Sequence, residues 1–142
     1  VEQSHLKFTK DEGAVAPSFA YPGDAGMDLG VQGNHRILPG ERVDLPTGVA
    51  VELPEGYYAR LVGRSSTLRK RGLLVFEGII DQGYRGPLFV FVTNMTTTAV
   101  EVTDGSRIAQ LIVTPIVQPT LHQVESLGTS ERGANGFGSS GL

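Results

Sequence analysis

Cysteine and tryptophan are both missing from this chain of 142 residues. Without cysteine there can be no disulfide, no zinc–thiolate centre and no cysteine nucleophile. Histidine is nearly as scarce. His5, His35 and His122 are scattered and form no HxH or HExxH pattern, which argues against a histidine-built metal site. No apolar run approaches the roughly 18 residues that a membrane helix needs, and the first residues lack a signal-peptide core. The expectation is a soluble, cytoplasmic protein. Asn94-Met95-Thr96 has the spacing of a glycosylation sequon, but without a secretion signal that match means little. The net charge of −3 gives no global basic field for nucleic acid or membrane, so a polyanionic ligand would need a local basic cluster.

The familiar nucleotide and hydrolase loops are absent as well. There is no GxxxxGKS/T phosphate loop. Gly133–Gly138 has the order G-x-x-G-x-G rather than the Rossmann order, with no βαβ unit around it. No GxSxG or plausible Ser-His-Asp set occurs.

Glycine (19 residues) and proline (8), by contrast, are plentiful, and hydrophobic residues make up 39% of the chain. That combination suits one all-β domain with a single core and many turns. Strand-like segments are expected at Leu6–Phe8, Arg36–Leu38, Glu41–Leu45, Gly48–Leu53, Tyr57–Val62, Leu73–Phe76, Leu88–Thr93, Val100–Val102, Ile108–Pro115 and Thr120–Val124. The turn clusters Tyr21–Asp24, Leu38–Glu41, Leu53–Gly56 and Asp104-Gly105 separate them. About ten residues per strand suggests a sandwich, barrel or jelly roll. Leu88–Val92 is apolar on both faces, and Leu111–Val113 nearly so. Such strands need cover on both sides, from a neighbouring subunit or from a central position in one sandwich.

One helix is expected, over Ser65–Arg71, capped by Ser65 or Ser66 and ended by Gly72. After about Leu127 the chain changes character. Residues 128–142 are small and polar and cannot bury enough surface to order themselves alone. They suit a disordered linker, or a lid whose Arg132 and Phe137 order on a ligand carrying both charge and a ring.

Candidate chemistry lies at strand ends. Gly63-Arg64-Ser65-Ser66 places a guanidinium fork and hydroxyls where a strand meets a helix, a setting suited to phosphate; a surface arginine beside a serine cap has the same sequence. Asp81 follows two β-branched residues in Gly78–Gly86 and precedes a turn. It is either a general base at an apolar rim or a turn aspartate. Asp28, in Ala25–Leu29, is either a buried carboxylate paired with an arginine or another turn residue. Gln110, after Gly105–Ala109, could donate to a phosphate or face solvent.

In this order, the segments resemble the five motifs of the trimeric dUTPase family: Ala25–Gly30, Gly63–Ser66, Gly78–Gly86, Gly105–Ile112 and Arg132–Gly141. The resemblance implies an all-β, jelly-roll-like barrel protomer over residues 1–127. A flexible arm, residues 128–142, would close over a neighbour's active site in a homotrimer with shared sites. The implied activity is dUTP diphosphatase, a nucleotide hydrolase that converts dUTP to dUMP and pyrophosphate. This keeps uracil out of DNA and supplies dUMP for dTMP synthesis.

By position, Asp81 would activate the water that attacks the α-phosphorus. Arg64, Ser65, Ser66 and Gln110 would hold phosphates, as would Arg132, Ser139 and the Gly138 backbone from the arm. Tyr84 would lie against the deoxyribose, Phe89 would border the sugar, and Phe137 would stack over uracil. The backbone of a β-hairpin around Val75–Asp81, including Ile79 and Ile80, would bind the uracil edge. Asp28 would orient the water-and-arginine network. Mg²⁺ would bind through the triphosphate and waters, without direct protein ligands.

The sequence departs from the family pattern at four positions. Gly83 and Pro87 replace frequent acids, Ser66 replaces glycine and Val75 replaces asparagine, which leaves Val75 only backbone contact with the nucleotide. The related dCTP deaminases need a glutamate ten residues beyond the aspartate; Phe91 stands there and cannot move a proton. A dUTPase-like protein acting only as a regulatory partner-binder, or as a structural trimer, is the non-catalytic alternative. The presence of Asp81 and of the arm argues against it.

Overall fold

The computed structural model describes residues 4–138. Ten strands and one helix form an all-β, jelly-roll-like domain, as expected from the sequence. The strands are β1 (Lys7–Lys10), β2 (Gly26–Gly30), β3 (His35–Ile37), β4 (Arg42–Glu52) and β5 (Tyr57–Gly63). After α1 (Ser65–Arg71) come β6 (Leu73–Val75), β7 (Gly78–Ile80), β8 (Pro87–Asn94), β9 (Val100–Val102) and β10 (Arg107–Pro115). One sheet has the order β1-β4-β8-β6, the second β2-β10-β5-β7, and β3 pairs with β9. All these pairings are antiparallel.

Each expected turn cluster turns the chain. Gly23, Gly40, Gly56 and Gly105 all have positive φ, which glycine adopts without steric cost. The core lies between the two large sheets and contains Leu29, Ile37, Leu45, Leu73, Leu88, Ile108 and Leu111, all essentially inaccessible to water. Truncating one of these leucines to alanine would cost about 2–5 kcal/mol, from lost transfer energy and the cavity left behind.

Several local expectations are corrected. Glu41–Leu45 and Gly48–Leu53 belong to a single strand, β4. Its pairing with β8 shifts between Pro46 and Ala50. The Thr47 hydroxyl donates to the Leu88 carbonyl at 2.8 Å and accepts from the Val49 amide, so the irregularity bends the strand instead of ending it. Gly26–Gly30, which carries the first motif, is a fully buried strand that the expected strand segments did not include. The segment 120–124 is not a strand and is exposed along its length; β10 already has β2 and β5 on its two sides.

The doubly apolar β8 is not covered on both faces. Leu88, Val90 and Val92 point into the core, whereas Phe89 and Phe91 face outward. Phe91 packs its ring 4.9 Å from that of Phe76, centroid to centroid. Asn94 is buried, so its sequon is structural. Its amide donates to the carbonyls of Ile37 and Thr98, and its oxygen accepts from the amide and hydroxyl of Thr96. Among the described residues no helix is long and apolar enough to cross a membrane.

Candidate active site

The expected site residues form two separate groups. The first lies where β5 runs into α1. The N-cap of α1 is Arg64, with extended backbone angles and no side-chain capping bond. The expected serine cap is therefore corrected: Ser65 and Ser66 already sit inside the first turn, which leaves their hydroxyls free of capping duty. Gly72 closes the helix in the left-handed conformation, as expected. A side chain there would also run into Thr96.

Asp28 resolves as the buried carboxylate. It lies in the middle of β2, directly opposite Gln110 in β10. The Arg64 Nε is 3.3 Å from its Oδ1, and the Arg64 Nη1 donates to the Arg107 carbonyl at 2.8 Å. Gln110 donates from Nε2 to the Gly63 carbonyl at 3.1 Å. Its side chain lies so close over Gly26 that a Cβ there would be 2.3 Å from the Gln110 Oε1. Asp28, Arg64 and Gln110 thus form one polar group on three adjacent strands, β2, β10 and the end of β5. Ser65 and Ser66 follow Arg64 directly.

The second group surrounds a cleft of about 180 Å³ lined by Ile79, Ile80, Asp81, Tyr84, Pro87, Leu88 and Phe89. Five of these seven are residues expected from the sequence, and Pro87 and Leu88 complete the wall. Asp81 follows β7 and begins a turn in which the Tyr84 amide donates to its carbonyl. Among the described residues no hydrogen bond or ion pair engages the Asp81 carboxylate, and it is exposed. That state suits a group that must accept a proton.

The turn itself is held by other bonds. The Gly56 amide donates to the Gln82 Oε1 at 2.8 Å, and the Arg85 Nη1 donates to the Gln82 carbonyl at 2.8 Å. The Tyr84 hydroxyl donates to the Pro87 carbonyl at 2.8 Å. Its ring lies over Gly86, where a Cβ would be 2.5 Å from that hydroxyl. Sequence reasoning passed over Gln82 and Gly86, because their roles depend on contacts with Gly56 and Tyr84 that the folded chain creates.

The expected hairpin around Val75–Asp81 is corrected. β6 and β7 do not pair with one another; β6 pairs with β8 and β7 with β5, in different sheets. As an edge strand, β7 has one row of backbone N–H and C=O groups turned away from β5. Val75 lies against Gly63, half-buried beneath the first group.

The two groups stand at opposite ends of β5. Ile80 is opposite Ala59, so Asp81 continues toward Tyr58, six residues from Arg64. At about 3.3 Å per residue the backbones are roughly 20 Å apart. The C-terminal segment joins neither group. After Ile116, whose amide donates to the Gly56 carbonyl, residues 117–138 are exposed except Gly136. The Arg132 Nε donates to the Asn135 carbonyl within its own loop. Phe137 is fully exposed at positive φ. Ser139, expected at the phosphates, lies outside the described residues. Among the described residues no group of three or more His, Asp or Glu side chains is arranged to hold a metal ion.

Comparison with known proteins adds three findings. A family model described as dUTPase matches residues 12–141. A deoxyuridine 5'-triphosphate nucleotidohydrolase of Leifsonia xyli is 45% identical over 128 residues, covering 88% of this chain and 84% of that relative. The structure of the Staphylococcus bacteriophage 80alpha dUTPase with dUPNHPP superposes with a TM-score of 0.93 at 31% identity, covering 99% of this chain and 100% of the phage chain.

Proposed function

The chain belongs to the dUTPase family, and on that premise we propose that it hydrolyses dUTP to dUMP and pyrophosphate, with Asp81 as the general base. The observation that carries the reading is the cleft of Ile79, Ile80, Asp81, Tyr84 and Phe89. It combines an unengaged carboxylate, an aromatic ring pinned at its hydroxyl and the open backbone edge of β7. The Asp81 carboxylate takes a proton from water as its oxygen bonds to the α-phosphorus. The bond from that phosphorus to the bridging oxygen breaks, and pyrophosphate leaves. Such displacement depends mainly on alignment and charge neutralisation.

Tyr84 lies against the deoxyribose and excludes a ribose hydroxyl. The backbone at Ile79 and Ile80 pairs with uracil, and a snug fit there rejects the thymine methyl. Arg64, Ser65, Ser66 and Gln110 hold phosphates, with Asp28 fixing the Arg64 guanidinium. Magnesium fits a donor set without a carboxylate cage if it is held by triphosphate oxygens and water. When bound it neutralises phosphate charge.

A separation of roughly 20 Å between Asp81 and Arg64 exceeds the span of a triphosphate. This favours a site assembled from several copies of the chain, and the reading is a homotrimer. Residues 128–142 act as an arm that closes on a neighbour, bringing Arg132 and Ser139 to the phosphates, the Gly138 backbone beside them and Phe137 over the base.

The test incubates wild type and Asp81→Asn with Mg²⁺ and each of dUTP, dCTP, dTTP and UTP, following pyrophosphate release and base identity. The expected result is turnover of dUTP alone, reduced about 10²–10⁴-fold in the variant. Ammonia released from dCTP, or no turnover of any nucleotide, would refute it. Co-refolding Asp81→Asn with Arg64→Ala tests the shared site. Activity regained by the mixture is expected; two inactive partners that stay inactive together would place the whole site in one chain.

A further inference from the structure

Thr67 is the buried polar residue of α1, and its environment is unusual. The pairing of β10 with β2 slips between Arg107, opposite Gly30, and Ala109, opposite Leu29. β5 begins its pairing with β10 only at Ala109. Ile108 therefore has no register partner on either side, a bulge that leaves its carbonyl outside the ladder. A buried carbonyl in that position needs a donor, and the Thr67 hydroxyl supplies one at 2.7 Å. The adjacent Arg107 carbonyl is taken by Arg64. Two consecutive carbonyls of β10 are thus bound by two side chains three residues apart, one at the N-cap and one in the first turn of α1. At the other end of the helix, Gly72 accepts a bond from the Met95 amide.

We infer that Thr67 is a positioning residue for phosphate binding: its hydroxyl locks the first turn of α1 onto the β10 bulge and so sets where Arg64, Ser65 and Ser66 point. The inference rests on the phosphate role proposed above for those three residues. Thr67 itself is buried and touches no substrate. A seven-residue helix has little intrinsic stability, so its orientation depends on such tethers. Valine would fill the same space without the hydroxyl, whereas serine would keep the hydroxyl and lose only a methyl group.

The experiment compares wild type, Thr67→Val and Thr67→Ser by dUTP kinetics and by amide hydrogen exchange over residues 65–71 of the unliganded protein. Thr67→Val should exchange faster in this segment alone and show a KM for dUTP raised about tenfold at nearly constant kcat, the signature of lost binding geometry. Thr67→Ser should restore both. Wild-type exchange or an unchanged KM in Thr67→Val would overturn the inference, as would a Thr67→Ser equally impaired, which would assign the effect to packing. Wild-type protein that fails to turn over dUTP would instead remove the functional reading, and the exchange data would still decide whether the hydroxyl holds the helix.

Discussion

Arg64 and Asp28 meet as an ion pair, Nε to Oδ1 at 3.3 Å, with the carboxylate nearly buried in β2 and the guanidinium half exposed above it. The arginine is the N-cap of α1, the one helix among the described residues, so the pair joins α1 to the sheet. Converting Asp28 to Asn should therefore lower stability and substrate binding together. The expectation is a loss of about 1.5–3 kcal/mol, the range of an interaction with a charged group, with a higher KM for dUTP. Urea unfolding and steady-state kinetics on the same preparation check it; an unchanged KM would show that the guanidinium needs no fixing.

Tyr84 and Gly86 should act as one unit. Tyr84→Ala opens the wall expected to exclude a ribose hydroxyl, and Gly86→Ala forces the ring from its place because the new methyl overlaps the tyrosine hydroxyl. Both variants should raise the kcat/KM of UTP relative to dUTP by about tenfold, the usual scale for one small group in a fitted pocket. Competition between the two nucleotides measures the ratio. If the ratio stays at its wild-type value, the sugar is selected elsewhere.

Removal of residues 128–142 separates folding from activity. The described part of this segment is exposed apart from Gly136 and contributes nothing to the core, so the unfolding free energy should change by less than about 0.5 kcal/mol. Turnover of dUTP should nonetheless fall by about 10²-fold or more, through lost positioning and charge neutralisation. Full activity in the shortened protein would rule out the arm as part of the site.

Chelation of magnesium should likewise affect activity and not the fold. With EDTA, dUTP hydrolysis is expected to approach background. The thermal midpoint should move by less than about 2 °C, since the described residues form no metal-holding carboxylate group. A large drop in the midpoint would indicate a structural metal.

Much of this molecule is decided locally, and that part was legible in the sequence. The limits of α1, the left-handed Gly72 and the turns at Gly23, Gly40, Gly56 and Gly105 follow from the conformational preferences of one or two residues. The alternation that buries Leu88, Val90 and Val92 was not legible there, because Phe89 and Phe91 between them are apolar too. The order of the motifs identified the family, and with it Asp81, Tyr84 and Arg64 as candidates.

Pairing and register belong to the tertiary structure, because they join residues far apart in the chain whose side chains carry no local mark of their partners. Near Asp28 the sequence allows a buried carboxylate paired with an arginine, but not the choice of that over a turn, nor that Arg64 is the partner. Nothing near Thr67 shows that a bulge at Ile108 will expose a carbonyl to it. The β4 bend looked like two strands because proline and glycine interrupt the alternation, while the Thr47 bond that carries the strand across is made to Leu88, 41 residues away. The candidate residues were thus named from the order of the motifs. Only the antiparallel register of β5 and β7 decided that Arg64 and Asp81 stand at opposite ends of one strand, too far apart to serve the same triphosphate within a single chain.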